Sequence, residues 1–255
     1  MSFEPLNRLD GRVAVITGGK GAIGMATARR LAALGARIVS LDRSGTAQVQ
    51  QMVAALPAVA AGPHLALAAS VTDSASLRAA AQAVADSAGR CDILVNSAGF
   101  TKAVAANDLE GLDDDLFDSI LQANLRGVFA SVRAFAPLLK ASGDGLVVNV
   151  SSIAGFTGAG SNLAYVAAKA GVDVLTKSLA KALAPQVRVI AVSPGVVDSS
   201  FVPGRGADFN DKAAATIPLK RIGVVEDIAS AIEACATTMR FATGSRFVVD
   251  GGRSL

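Results

Sequence analysis

The chain has 255 residues, 51% hydrophobic and 18% charged, enough apolar material for a large core and too little charge for a disordered tail. Its 24 basic and 21 acidic residues (net charge +3) are interspersed, and Arg29-Arg30 is the densest basic spot. That pattern reads as a solvated surface and not a phosphate-tracking stripe, so no nucleic-acid partner is expected.

Residues 1–10 carry no apolar segment that could act as a secretion signal. The uncharged run Val53 to Val71 is interrupted by Pro57, Gly62, Pro63 and His64, which makes it a helix end, a loop and a strand, not a membrane span. The two cysteines, Cys91 and Cys235, are far apart and outside any metal-ligand spacing, and Cys91 leads into the apolar Ile93-Leu94-Val95. Buried thiols, no metal, no membrane and a reducing cytoplasmic setting are expected.

In chain order, predicted strands fall at Val13–Thr17, Arg37–Leu41, Leu65–Ala69, Ile93–Asn96, Leu146–Val150, Val187–Ser193 and Arg246–Val249. Helical patterns lie between them, as at Ala22–Leu34, Ser74–Ala88 and Tyr165–Leu183. The strands are continuous apolar runs, as expected when both sheet faces are covered. Their alternation with helices predicts a doubly wound, seven-stranded, mostly parallel sheet of Rossmann type with helices on both faces, in one domain over 1–255. Ser199 to Pro218, with Pro203, Gly204 and Gly206, is long and irregular; it reads as a substrate lid or as a plain surface excursion.

The first predicted strand runs into Gly18-Gly19-Lys20-Gly21-Ala22-Ile23-Gly24 and then a helix. Strand, glycine turn and helix N-terminus together make a pyrophosphate site, because glycines admit a close phosphate and the helix end presents open N–H groups. Asp42, closing the second strand, stands where a carboxylate hydrogen-bonds adenosine ribose hydroxyls. It would repel a 2′-phosphate and so favours NAD over NADP, although Lys20 and Arg43 pull the other way.

Tyr165 is the only tyrosine, and Lys169 follows it four residues later on the same face of a predicted helix. A free phenol, with a pKa of about 10, is a poor proton exchanger at neutral pH. A neighbouring ammonium favours the phenolate and lowers that pKa, as general acid–base catalysis requires. His64, the only histidine, sits in a Pro/Gly loop without the context of a base. Phe100, Phe156, Phe201, Val202 and Phe209 are candidates for an apolar pocket and Arg205 for an anion contact, each equally consistent with ordinary packing.

With Thr17-Gly18 through Ile23-Gly24, Asn96-Ser97-Ala98-Gly99, Asn124, Ser152, Tyr165 with Lys169, Pro194-Gly195 and Asp250-Gly251-Gly252, the chain resembles the short-chain dehydrogenase/reductase family over almost its whole length. Among members it looks most like the 3-oxoacyl-carrier-protein-reductase-like group. The resemblance implies a catalytic set in which Tyr165 is the acid/base, Lys169 binds nicotinamide ribose and lowers the phenol's pKa, Ser152 hydrogen-bonds the substrate oxygen, and Asn124 holds a water in a relay to Lys169. It implies that Gly18, Lys20, Ala22, Ile23, Gly24, Asp42, Val71, Asn96, Ala98, Gly99, Pro194, Gly195 and Val197, with Tyr165 and Lys169, contact the cofactor. A homotetramer is implied too.

The sequence departs from the family pattern at Ala22 (a glycine in the usual loop), Ser97 (an asparagine), Ser70 (an acidic residue) and Ser199 (a threonine). These changes bear on adenosine binding and not on the reaction. The expected activity is hydride transfer between NAD(H) and a secondary alcohol or ketone. The alternatives are a non-catalytic NAD-binding sensor or scaffold, and a lyase or epimerase, for which the chain leaves no separate substrate domain.

Overall fold

The structure is a computed structural model that describes residues 8–43, 46–204, 206 and 208–255. Its seven strands are β1 (Val13–Thr17), β2 (Arg37–Asp42), β3 (Leu65–Ala68), β4 (Ile93–Asn96), β5 (Gly145–Val150), β6 (Val187–Pro194) and β7 (Arg246–Val249). They form a single sheet in the order β3-β2-β1-β4-β5-β6-β7. Every neighbouring pair is parallel.

Nine α-helices are described: α1 (Ala22–Ala33), α2 (Thr46–Ala54), α3 (Ser74–Ala88), α4 (Asp114–Leu121), α5 (Gly127–Ala141), α6 (Ala154–Thr157), α7 (Leu163–Leu183), α8 (Phe209–Thr216) and α9 (Val225–Thr237). A π-helical turn, Gln122–Arg126, joins α4 to α5.

Successive strand residues point to opposite faces, so each strand feeds two cores. Ala14 and Ile16 of β1 pack with Leu31 of α1 and Ile232 of α9 on one face. Val13 and Val15 pack with the layer holding Leu77 of α3, Phe135 of α5 and Leu183 of α7 on the other. Two covered faces explain why the central strands read as unbroken apolar runs. The edge strand β7 alternates exposed and half-buried residues, since Phe247 and Val249 pack against the core on one face while Arg246 and Val248 lie on the other.

Strand order reverses between β1 and β4, which opens a crevice beyond their carboxyl ends. The segment expected to be irregular over 199–218 contains the short helix α8. Among the described residues no helix is long and apolar enough to cross a membrane, and no cluster of three His, Cys, Asp or Glu could hold a metal.

His64 is buried: its Nδ1 accepts the Ile38 N–H at 2.9 Å, and its Nε2 lies 2.8 Å from the Pro57 carbonyl. The carbonyl can only accept, so Nε2 carries the proton, and the ring fastens β2 to the loop after α2.

Candidate active site

The turn after β1 is shaped by backbone contacts. Gly18 has φ 65°, and a Cβ there would lie 2.7 Å from the Ala98 Cα. A Cβ on Gly24 would stand 2.4 Å from the Gly18 carbonyl oxygen. Neither site tolerates a side chain without displacing backbone. Helix α1 begins at Ala22 with no side-chain cap and no acid in its first turn, so its open N–H groups suit a phosphate. Lys20 is exposed on this turn. Asp42 is half-buried at the end of β2, and its carboxylate has no partner among the described residues. An adenine dinucleotide therefore fits the edge formed by β1 and β2.

Asn162, which sequence reasoning passed over, sets the position of Tyr165. It caps α7, its Oδ1 accepting the Tyr165 N–H at 2.7 Å. Its Nδ2 donates to Thr101 Oγ1 at 3.1 Å and to the Lys102 carbonyl at 2.7 Å. The start of α7 is thereby tied to the loop after β4. An asparagine three residues before the tyrosine is an N-cap signal visible in the sequence.

Lys169, one turn further on, is 5% exposed. Its Nζ donates to the Val150 carbonyl at 2.8 Å and stands 5.5 Å from the centre of the Tyr165 ring. Burial pulls its pKa down to about 8, partly opposed by Asp173 on the next turn. Space for the lysine backbone comes from Gly155, where a Cβ would meet the Lys169 carbonyl carbon at 2.6 Å. Ser152 Oγ accepts the Ala154 N–H at 3.1 Å, which leaves its hydroxyl hydrogen to be donated elsewhere.

Asn124 is fully buried in the π-helical turn, where its Nδ2 is spent on structure while its Oδ1 has no partner among the described residues. Its Nδ2 donates to the carbonyls of Phe100 at 2.9 Å and Ile120 at 3.0 Å, and it is absent from the cavity wall. Asn96 is likewise structural on one side, its Nδ2 donating to Asn149 Oδ1 at 2.9 Å. Asn149 donates in turn to Thr176 Oγ1 at 2.9 Å, so a buried polar chain links β4, β5 and α7. Val71 packs against Gly127 at the head of α5.

A cavity of about 1030 Å³ opens beyond the strand ends. Ser152, Tyr165 and Lys169 share its wall with Ile23, Ala98, Gly99, Pro194, Gly195 and Val197. Gly18, Lys20, Ala22, Gly24, Asp42, Val71 and Asn96 lie outside it, on the turns and strand ends of the same sheet edge. Phe201, Val202 and Phe209 line the cavity, and the Phe201 ring lies 5.9 Å from that of Tyr165. Phe100 and Phe156 do not line it: Phe100 supplies its carbonyl to Asn124, and the Arg246 guanidinium stacks 3.9 Å over the Phe156 ring. Arg205 lies outside the described residues. Arg253, two residues before Leu255 and unmarked in the sequence reading, is part of the wall.

Residues 18–254 match the family model described as enoyl-(acyl carrier protein) reductase. The chain belongs to the short-chain dehydrogenase/reductase family, whose members are oxidoreductases that bind a nicotinamide cofactor. Within it, the chain falls in the group of 3-oxoacyl-carrier-protein-reductase-like proteins. It is 36% identical to a D-threitol dehydrogenase of Mycolicibacterium smegmatis, over 97% of this chain and 95% of that one. It is 32% identical to the 3-oxoacyl-[acyl-carrier-protein] reductase FabG of Thermotoga maritima, over 96% and 98%. Levodione reductase superposes with a TM-score of 0.89 at 30% identity, covering 97% of this chain and 99% of that one.

Proposed function

We propose that the protein transfers a hydride between NAD(H) and a secondary alcohol or ketone, with Tyr165 as the general acid/base. The observation that carries this reading is the convergence of Tyr165, Lys169 and Ser152 on one cavity wall beside the strand-end backbone of Pro194 to Val197. A nicotinamide bound against that backbone supplies or accepts the hydride.

In the reductive direction Ser152 donates its hydroxyl hydrogen to the carbonyl oxygen and Tyr165 passes its proton to the oxygen as charge develops there. The Lys169 ammonium, 5.5 Å from the ring centre, favours the phenolate that Tyr165 leaves behind. Val150 occupies one of the three ammonium hydrogens, so the others are available to a ribose hydroxyl. Oxidation reverses each proton movement. Asn124 Nδ2 is spent on two carbonyls, and its buried Oδ1, without a partner among the described residues, supports its part in a proton relay to Lys169.

Asp42, at the end of β2 and without a partner among the described residues, supports NAD over NADP, as its charge would repel a 2′-phosphate. The 199–218 segment supports a lid role through the cavity contacts of Phe201, Val202 and Phe209. Exposed Phe129 on α5, Val174 on α7 and Val248 on edge strand β7 support a homotetramer, which light scattering on the purified protein checks.

The test is a panel of secondary alcohols and ketones followed by NADH absorbance, with Tyr165→Phe beside the parent. Turnover that depends on Tyr165 supports the reading; turnover undiminished in Tyr165→Phe overturns it.

A further inference from the structure

The charge balance of the cavity wall points to the class of substrate. Among its described residues there is no aspartate or glutamate, and the charged side chains are Lys169 and Arg253. Lys169 is buried beside the phenol and belongs to the reacting end. Arg253 is exposed and is part of the wall.

Six other arginines, Arg12, Arg30, Arg90, Arg221, Arg240 and Arg246, pair with carboxylates, while Arg37 and Arg188 are spent on backbone carbonyls away from the cavity. Arg253, on the cavity wall, meets no carboxylate among the described residues. Among the described residues its guanidinium donates only to a neutral group, Thr216 Oγ1 of α8, at 2.9 Å. That bond uses one N–H of a planar fork built for oxyanions and leaves the others to a ligand.

The backbone beneath Arg253 is fixed. Asp250 Oδ1 accepts the Gly252 N–H and Oδ2 the Ser254 N–H, each at 2.8 Å, so this nearby acid is committed to the turn and not to the arginine. Arg253 N donates to the Asp250 carbonyl at 3.2 Å. The turn abuts the segment after α8, for a Cβ on Gly251 would meet Ile217 Cγ2 at 2.8 Å. Asp198, also close in sequence to the wall, accepts from Asn210 Nδ2 at 3.2 Å. The same wall carries the apolar side chains of Phe201, Val202 and Phe209.

We propose that Arg253 is a specificity-determining residue that holds an oxyanion at the far end of the substrate, so that the protein acts on oxo- or hydroxy-acids in preference to neutral ketones and alcohols. The inference rests on the redox reading above for its chemistry and on the Arg253–Thr216 arrangement for its selectivity. A carboxylate and a phosphate monoester both offer the required oxygens.

The test uses oxo-carboxylates of increasing length, from 3-oxobutanoate to 6-oxoheptanoate, each against its methyl ester, with NADH and NADPH both supplied. At the best length the matching oxoalkyl phosphate is added, so that its rate against the carboxylate's identifies the preferred anion. The same probes are scored by their shift of the melting temperature, a readout independent of turnover. Parent, Arg253→Gln and Arg253→Lys are compared.

A charge-assisted hydrogen-bond pair at a half-solvated rim makes the acid-to-ester ratio of kcat/KM about tenfold or more in the parent. That ratio falls towards one in Arg253→Gln, through KM, and recovers in part in Arg253→Lys. Esters turned over as well as acids, or a preference kept in Arg253→Gln, overturns the inference and leaves the redox reading standing. A melting shift by the acids alone, lost in Arg253→Gln and without any turnover, upholds the anion site and removes the redox reading. No turnover and no shift across the series overturns the inference.

Discussion

The two ends of the sheet treat charge in opposite ways. At the amino ends of the strands, acids and bases answer one another. Asp92, fully buried before β4, takes Arg12 at 3.2 Å, Arg90 at 2.6 Å and the Val13 N–H at 2.8 Å. Asp144, before β5, lies between Arg12 and Arg240. Arg188 at the start of β6 donates to the carbonyls of Cys235, Met239 and Ala242, with only its Nε left over.

At the carboxyl ends the polar groups stay open. Asp42 and Arg253 meet no opposite charge among the described residues, and Lys169 is held at a depressed pKa. Asn96 Oδ1, Asn124 Oδ1, Ser193 Oγ and Ser40 Oγ are buried without a hydrogen-bond partner among the described residues. A fold that pairs its charges at one end and leaves them unanswered at the other marks where a ligand completes it.

The largest effect is expected at the open end. Tyr165→Phe should lower kcat by about a thousandfold, in steady-state assays, while the melting temperature stays near that of the parent. Lys169→Met should lower kcat by about a hundredfold and yet raise the melting temperature of the ligand-free protein near neutral pH. The sign follows from burial. The folded pKa of about 8 lies below the unfolded value, so the cost of the buried ammonium is fully present below about 8 and fades as pH rises towards about 10.4. The gain in melting temperature should shrink over that interval, and a gain that grows instead would refute burial as the cause.

At the closed end the effect should be on stability alone. Asp144→Asn should cost about 2 kcal/mol in denaturant unfolding, with kcat unchanged, since it leaves the partly buried Arg240 guanidinium unanswered and Arg12 with Asp92 alone. Burial alone would raise the Asp144 pKa, but Arg240 and Arg12 together hold it below the usual carboxylate range. Its contribution is therefore present above the unfolded value of about 3.9 and is lost as pH falls through the folded one, so the variant should lose less stability on acidification.

Asp42→Ala should move the NAD-to-NADP ratio of kcat/KM about tenfold towards NADP; an unchanged ratio would remove the cofactor assignment. The smallest effect is expected at Asn162→Ala: about 1 kcal/mol of stability from the lost cap, with a modest fall in kcat because the Tyr165 backbone loosens.

Much of this molecule is legible in the sequence. Strand and helix positions follow from apolar runs and periodicity, which report burial directly: the predicted Val13–Thr17 and Ile93–Asn96 coincide with the buried β1 and β4, and Arg246–Val249 with the half-exposed β7. The glycine turn and the Tyr165–Lys169 pair are local, so their spacing carries them.

What the sequence hides is non-local. The π-helical turn at Gln122–Arg126 depends on the Asn124 amide reaching Phe100, twenty-odd residues upstream, and no local pattern announces it. Phe156 looks like a pocket residue until Arg246, a strand away in the fold, covers it. Arg253 reads as a solvated residue at a chain end, because the missing carboxylates that define its surroundings come from many distant segments.

Tyr165 is the only tyrosine of a chain that has no tryptophan. The near-ultraviolet absorption of this protein is thus the spectrum of one phenol beside ten phenylalanines. Ionisation of the proposed acid/base should be visible by direct optical titration, without labels or isotopes. Whatever binds near Lys169 will be reported by the same band, so the molecule carries its own probe at the position where its chemistry is expected.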